Sequence, residues 1–301
     1  MNLPEHIQLL SSDPTNVYLI KNQDEAAVID PYWLDPETGV LELIKATLPS
    51  RLTTIIITHA HFDHYGGCPT LNDKLEVETS AHIADAWIME DSNAYFKQFY
   101  SYENPTHEKI NSLMSMAGGR GVRVTRILRD GDFIEVGQKR LHVIHIPGHS
   151  HGSICLMDPE EETLFTGDTP FPSEWLHSWL GLVVDAEAYA ISLEKLAKMK
   201  PKMVLPGHGK LLSADEWERD LTAHIGRLKV CEETILSVLK EKEFTPLEVI
   251  RDRMIEGILT AVNKDDVLFR ATEWLTVHSM MQKLCLESKA EQRHGLMWRR
   301  S

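Results

Sequence analysis

The sequence predicts an α/β fold, and three observations support that prediction. Short apolar segments rich in β-branched residues recur in the first two thirds of the chain, as expected of buried strands. Residues 82–117 show mostly helical spacing, which indicates a helical insertion. From residue 213 onward the apolar residues follow helical periodicity, which predicts a first helix from about residue 213 to Glu243. We therefore predict an N-terminal domain over residues 1–212, interrupted at about 82–117, and a mostly helical C-terminal domain over residues 213–301.

The sequence His-Ala-His-Phe-Asp-His directly follows one predicted strand, at residues 52–58. His59 and His61 are two residues apart, so on an extended backbone their side chains leave on the same side and can bind one metal ion. Asp63 and His64 come where a following Gly-Gly pair predicts a turn, and they can therefore face a second ion.

Three other predicted strands also end at a glycine beside a residue that can bind metal. The strand at 140–146 precedes His149, the strand at 162–166 precedes Asp168, and the strand at 202–205 precedes His208. A single histidine after a glycine is usually structural, but four such strand ends form a constellation that chance seldom produces. Imidazole and carboxylate donors without thiolate suit Zn²⁺, with Mn²⁺ or Fe as alternatives.

On these motifs the chain resembles the metallo-β-lactamase-fold hydrolase superfamily, over roughly residues 15–210. The resemblance implies a four-layer αββα sandwich and a site for two divalent metal ions. By position, the first ion would be held by His59, His61 and His149, the second by Asp63, His64 and His208, and both by a bridging Asp168. Asp30, after the predicted strand at 26–29, would accept a hydrogen bond from a ligand imidazole. The alternative is that Asp30 simply opens a turn before Pro31.

Such a ligand set implies hydrolysis by a hydroxide that bridges the two ions. Two ions about 3.5–4 Å apart can share a water molecule and lower its pKa towards neutrality. Because that hydroxide attacks a carbonyl or phosphoryl centre directly, no serine or cysteine nucleophile is needed. We expect Asp63 and Asp168 to be the catalytic residues, with Asp63 also able to accept the proton of the nucleophile.

The residues after the bridging position narrow the substrate class. Lactamases of the superfamily have cysteine where Asp168 stands, and quorum-signal lactonases have tyrosine where Phe171 stands. Glyoxalase II resembles this chain at residues 167–171, but then continues into a glutathione-binding segment that this chain lacks. We therefore expect a small-molecule carboxylic thioester or ester other than a β-lactam or a glutathione thioester. The candidate substrate pocket consists of Phe171, Trp175, His177 and Trp179.

The C-terminal helices, followed by a short hairpin, resemble the winged-helix tail of one branch of the superfamily. That branch includes the lactamase-like mitochondrial endoribonuclease and polyketide thioesterases, so a metal-dependent endoribonuclease or phosphodiesterase is the alternative function. We favour a tail that forms a homodimer or closes the substrate pocket over one that binds nucleic acid. All of the net charge of −14 lies before residue 220, which disfavours binding of a polyanion over a broad surface. A binding or biosynthetic accessory protein with a slow metal site is a third interpretation.

Composition favours a cytoplasmic protein. The chain has no long uncharged apolar run, so we expect no transmembrane helix and no membrane partner. Its N-terminus lacks the basic region and apolar core of a signal peptide. The four cysteines are widely spaced, which indicates reduced thiols rather than a disulfide framework.

Overall fold

The structure is a computed structural model that describes residues 2–12, 14–22, 24–32, 51–91, 121–260, 267–293 and 296–301. Most of the predicted insertion, residues 92–117, lies outside the described residues.

Two six-stranded sheets form the core of the described chain. The first contains, in spatial order, β1 (Ile7–Ser11), β2 (Val17–Asn22), β3 (Glu25–Ile29), β4 (Arg51–Ile56), β5 (Glu78–His82) and β6 (Arg126–Leu128). The second contains, also in spatial order, β12 (Leu212–Ser213), β11 (Met203–Pro206), β10 (Thr163–Gly167), β9 (Ile154–Asp158), β8 (Lys139–His145) and β7 (Phe133–Val136). Strands β3 to β6 run parallel to one another, as do β10 and β11.

Alternation along the strands sends side chains to two different cores. In β2, Tyr18 and Ile20 point into the core between the two sheets, whereas Val17 and Leu19 point to the outer face of the first sheet. The inner core contains residues of both sheets, such as Ile56 of β4 and the completely buried Phe165 of β10. Because each sheet is apolar on both faces, each also needs a helical layer outside it.

Helices supply those outer layers. They are α1 (Phe62–Tyr65), α2 (Cys68–Lys74), α3 (Ile83–Glu90), α4 (Ala186–Ala197), α5 (Ala214–Val238), α6 (Leu247–Ile258) and α7 (Val267–Leu286). Side chains of α1 to α3 pack on the first sheet, and side chains of α4 to α7 form a core with the second. The order helix, sheet, sheet, helix confirms the predicted four-layer sandwich. Among the described helices, none is both long and apolar enough to cross a membrane.

The C-terminal part differs from the prediction at one helix end. Helix α5 begins at a capping box of Ser213 and Glu216, but it ends at Val238, although helical periodicity suggested Glu243. Leu239 takes an extended conformation and is buried, which turns the chain towards a small sheet. That sheet contains β13 (Thr245–Pro246), β15 (Met297–Arg300) and β14 (Ala290–Arg293), in spatial order.

Candidate metal centre

Strand ends deliver the predicted ligands to one end of the sandwich. Strand β4 runs into the segment that carries His59 and His61, and the loop from β8 to β9 carries His149. Strands β10 and β11 are parallel neighbours, so Asp168 and His208, which follow them, emerge at the same edge. The short helix α1 adds Asp63 and His64. The structure thereby brings together all seven predicted ligands.

The first group consists of His59, His61, His149 and Asp168, all buried. The Nε2 atom of His149 lies 3.3 Å from Nε2 of His59 and 3.0 Å from Nδ1 of His61. Oδ2 of Asp168 lies 3.6 Å from Nε2 of His149 and 3.8 Å from Nε2 of His59. These four donor atoms surround a point that one ion can occupy.

The second group consists of Asp63, His64 and His208. Nε2 of His208 lies 3.1 Å from Oδ2 of Asp63 and 3.3 Å from Nε2 of His64. Asp168 also reaches this group, because its Oδ2 is 3.3 Å from Nε2 of His208 and its Oδ1 is 3.5 Å from Nε2 of His64. Asp168 therefore lies within reach of both groups, as a bridging carboxylate must.

Four of the ligand imidazoles use Nδ1 to donate a hydrogen bond away from the centre. His59 donates to Oγ1 of Thr58 at 3.0 Å, and His64 donates to Oδ2 of Asp30 at 2.9 Å. His149 donates to the carbonyl of Leu182 at 2.8 Å, and His208 donates to the carbonyl of Pro14 at 2.6 Å. When Nδ1 carries the ring proton, Nε2 presents its lone pair to the centre. The outer partners thus select the tautomer that binds metal.

Converging lone pairs at such distances require a positive charge between them. Burial, together with the neighbouring His64, lowers the pKa of His59 well below its ordinary value, so a proton is a poor bridge in the first group. Oδ1 of Asp168 is buried and accepts no hydrogen bond from any described residue. Nitrogen and carboxylate donors without thiolate fit a divalent ion such as Zn²⁺. The residues present therefore fit the metals that the sequence predicts.

Carboxylates dominate the electrostatics of the second group. Burial lowers the pKa of His64, but the charges of Asp168 and Asp63 outweigh burial and raise it to about 10. Burial raises the pKa of Asp168, but His208 and His64 hold it well below its ordinary value. The second group therefore attracts positive charge, which a divalent ion supplies.

Gly207 is the residue that lets two ligand-bearing segments approach each other. A Cβ atom at this position would lie 2.3 Å from Oδ1 of Asp168 and 2.7 Å from Cε1 of His64. Its N–H donates to the carbonyl of Gly167 at 2.7 Å, which joins the segments after β10 and β11. Any side chain at Gly207 would displace the Asp168 carboxylate.

Asp30 does more than open a turn. Besides accepting from His64, its carboxylate accepts from the N–H of Thr58 at 2.8 Å and from the Thr58 hydroxyl at 2.7 Å. Asp30 has a positive φ of 50°, a conformation that Asp and Asn adopt more readily than most residues. It thus links the end of β4 to a ligand of the second group.

Replacing Asp30 by asparagine is expected to weaken metal binding by about 10–100-fold, the usual effect of removing such an outer partner. Asparagine tolerates the left-handed backbone, so the change tests the charge and the acceptors rather than strain. Zn²⁺ affinity is measured by competition with a chromogenic chelator. An Asp30→Asn protein that binds Zn²⁺ as tightly as the wild type would contradict the assignment.

The candidate pocket residues have different surroundings. The Trp175 ring is partly exposed and lies 5.3 Å, centroid to centroid, from the imidazole of His208. Trp179 donates from Nε1 to Thr272 at 2.9 Å, and Phe171 is buried against Trp179. His177 is exposed. Of the four, Trp175 combines an accessible surface with closeness to a predicted ligand, while Phe171 packs against Trp179.

Sequence reasoning missed the Thr58 hydroxyl, which holds His59, and three further groups around the predicted ligands. The carbonyls of Pro14 and Leu182 accept hydrogen bonds from His208 and His149, but a backbone carbonyl has no side-chain signature. Asp85 of α3 contacts the segments around Ala60 and Ser150. The sequence shows Asp85 only as one acidic residue among helical spacing, with nothing to relate it to the ligands.

The chain is similar in sequence to known proteins. The family model of the metallo-beta-lactamase superfamily matches residues 11–208. The chain is 29% identical over 242 residues to the acyl-coenzyme A thioesterase MBLAC2 of Gallus gallus, covering 73% of this chain and 82% of that protein. It is 25% identical over 248 residues to the atrochrysone carboxyl ACP thioesterase of Aspergillus fumigatus, covering 79% and 65% respectively.

A solved structure has a similar fold. The metallo-beta-lactamase family protein TTHA1429 of Thermus thermophilus superposes with a TM-score of 0.76 and 20% identity, covering 100% of both chains. At this identity the similarity concerns the fold alone, including the C-terminal helices.

Proposed function

Since the chain belongs to the metallo-β-lactamase superfamily and is a metal-dependent hydrolase, we propose that it uses two metal ions to cleave carboxylic thioesters, with esters as a related substrate. The observation that carries the proposal is Asp168, whose carboxylate lies within 4 Å of imidazoles of both ligand groups. Two relatives named as thioesterases, one for acyl-coenzyme A and one for an acyl carrier protein, support the substrate class. Zn²⁺ is the metal we propose, with Mn²⁺ or Fe as alternatives.

The chemistry needs an activated water and a stabilised oxyanion. Two divalent ions, when bound, lower the pKa of a water molecule and stabilise negative charge on the carbonyl oxygen. Asp63 is the most open carboxylate of the site, because 42% of its side chain is exposed. Burial opposes its ionisation, but His64 and His208 hold its pKa below the ordinary value, so Asp63 stays ionised. Its position and exposure, rather than its pKa, make it the proposed acceptor of the proton of the attacking water, since a lowered pKa weakens a base.

A thioester suits this site better than an amide. A thiol has a pKa of about 8.5, so a thiolate can leave without being protonated first, whereas an amine cannot. The centre is built from metal-binding groups, and its ionised carboxylates accept protons rather than donate them. A substrate whose leaving group needs no general acid therefore fits the groups around Asp168.

The C-terminal helices hold the loops beside the ligands. His224 of α5 donates to the carbonyl of Phe171 at 2.8 Å, which fixes the loop that carries Trp175. Thr276 of α7 donates to the carbonyl of Gly181 at 2.7 Å, just before the Leu182 carbonyl that orients His149. These contacts support a pocket-closing role for the proposed C-terminal domain, residues 213–301.

Charge pairing in that domain argues against the endoribonuclease alternative. Arg299 lies 2.6 Å from Glu291, Lys283 lies 3.3 Å from Glu232, and Lys289 also pairs with Glu232. Binding of a polyphosphate chain depends on cations that are free to replace its counterions. Since these cations are already paired with carboxylates, we favour a small thioester over RNA as substrate.

The proposal is tested by thiol release from acyl-coenzyme A substrates of increasing chain length, using protein with two equivalents of Zn²⁺. We expect steady release of coenzyme A that depends on the metal. Absence of release from every chain length, with two ions bound, would overturn the thioester assignment. Hydrolysis of bis(p-nitrophenyl) phosphate or a single-stranded RNA by the same protein would then favour the phosphodiesterase alternative.

Replacing Trp175 by alanine is expected to raise KM for long acyl chains by about 10-fold, since burial of apolar area against an indole contributes about 1.5 kcal/mol. The KM for a short acyl chain should change less. Trp175→Phe should keep most of the affinity, and Trp87→Ala, at an exposed tryptophan of α3, serves as the control. Equal KM increases for short and long chains would show that Trp175 does not contact the acyl group.

A further inference from the structure

Asp85 is a buried carboxylate at the first turn of α3, with only 1% of its surface exposed. Its Oδ2 accepts from the N–H of Ala60 at 2.8 Å and from the hydroxyl of Ser150 at 2.6 Å. Its Oδ1 accepts from the N–H of Gly152 at 2.7 Å. One carboxylate therefore joins two segments that are about ninety residues apart in sequence.

Those two segments carry the three histidines of the first group. Ala60 lies between His59 and His61, and Ser150 directly follows His149. Ser150 is itself held, because its N–H donates to the hydroxyl of Ser153 at 3.0 Å. The contacts of Asp85 thus fix the backbone positions from which all three imidazoles project.

Asp85 packs closely against the segment that contains Ser150 and Gly152. A Cβ atom on Gly152 would lie 2.6 Å from Cγ and 2.7 Å from Cβ of Asp85. Three donors converge on the carboxylate, and hydrogen bonds to a charged acceptor are shorter and stronger than neutral ones. An amide in its place would turn an NH₂ group towards at least one donor and so lose part of the arrangement.

We propose that Asp85 is a positioning residue for the first metal group, which holds the His59–His61 segment and the His149 segment at the spacing that metal binding requires. This proposal rests on the proposed two-metal function and assigns Asp85 to the first of the two metal groups. Asp30 accepts directly from His64 of the second group and reaches the first group only through Thr58. The three hydrogen bonds of Asp85, by contrast, all go to segments of the first group. Loss of Asp85 should therefore weaken the first site selectively.

The test measures Zn²⁺ affinity in two single-site backgrounds. His208→Ala disables the second group and leaves the first, and His149→Ala does the reverse. Adding Asp85→Asn to His208→Ala is expected to weaken Zn²⁺ binding by about 10–100-fold, as for other outer partners of metal ligands. Adding it to His149→Ala should change the affinity by less than about 3-fold. Similar losses in both backgrounds, or no loss in the first, would overturn the proposal.

A matched control separates positioning from general destabilisation. Asp158 is also 1% exposed and accepts hydrogen bonds from His6 at 2.8 Å and from the N–H of Glu160 at 3.0 Å. It pairs with Thr163, at the opposite end of β10 from Asp168. Asp158→Asn should lower the melting temperature without changing Zn²⁺ affinity. A comparable loss of affinity in Asp158→Asn would show that destabilisation alone accounts for the Asp85 effect.

Ser150→Ala provides a second variant if Asp85→Asn does not fold. It removes one of the three donors and leaves the carboxylate in place, so a smaller weakening confined to the first site is expected. Unchanged Zn²⁺ affinity in Ser150→Ala would then count against the proposal. If the wild type binds fewer than two ions, the two-metal function fails, whatever the Asp85 variants show.

Discussion

Replacing Asp168 by alanine is expected to abolish thioester hydrolysis and to lower the bound metal from two ions to one or none. The carboxylate is the group shared by both ligand sets, with oxygens 3.3–3.8 Å from four imidazoles. In the proposed two-metal site, its removal would leave each ion one donor short. Because loss of an outer partner already reduces activity by about 10–100-fold, loss of a residue proposed to bind metal directly should exceed that range.

Metal content by elemental analysis and coenzyme A release are measured on the same Asp168→Ala preparation. Asp158→Ala is the control, since it also removes a buried carboxylate but lies one strand length from the site. We expect the control to keep two ions and most of its activity. An active Asp168→Ala protein that retains both ions would refute the bridging role.

Removing the metal from the wild type is expected to abolish activity and to lower the melting temperature. An ion that binds the folded chain and not the unfolded one stabilises the folded state by about 4 kcal/mol when its concentration is 1,000 times its Kd. The Nε2 atoms of His59 and His149 lie 3.3 Å apart. Without an ion, their lone pairs face each other with no positive charge between them, and they repel. Dialysis against a chelator, followed by thermal unfolding and assay, measures both effects.

Adding back single metals then distinguishes the candidates. We expect Zn²⁺ to restore both activity and melting temperature, with Mn²⁺ or Fe²⁺ as the alternatives that the donor set permits. Restored stability without restored activity would identify a metal that fits the site but does not support the reaction. Full activity in chelated protein that contains no metal would refute the metal-dependent mechanism.

The ligands could be predicted because their signal is local. His59 and His61 are close in sequence, and Asp168 and His208 each follow a short apolar strand and a glycine. Such a pattern is visible in the sequence, because the strand end and the predicted ligand are neighbours in the chain. The resemblance to the superfamily implied the layer order, and the structure gives its physical reason, since each sheet is apolar on both faces.

The supporting contacts could not be predicted because they join distant parts of the chain. Asp85 meets Ser150 across 65 residues, and the Pro14 carbonyl meets His208 across 194. No local spacing encodes such pairs. The end of α5 was also misplaced, because the burial of Leu239 in the tertiary core ended a helix that periodicity alone would extend.

The contact between Pro14 and His208 has a consequence for the order of folding. Asn16 strengthens it, since its side chain donates to the carbonyls of Pro206 at 2.8 Å and Gly209 at 3.0 Å. The segment before β2 must therefore dock on the last ligand loop before His208 is held in place. Closing so long a loop is slow compared with forming local structure. We expect the second ion to be captured late in refolding, after the histidines near residue 60 have already met the His149 loop.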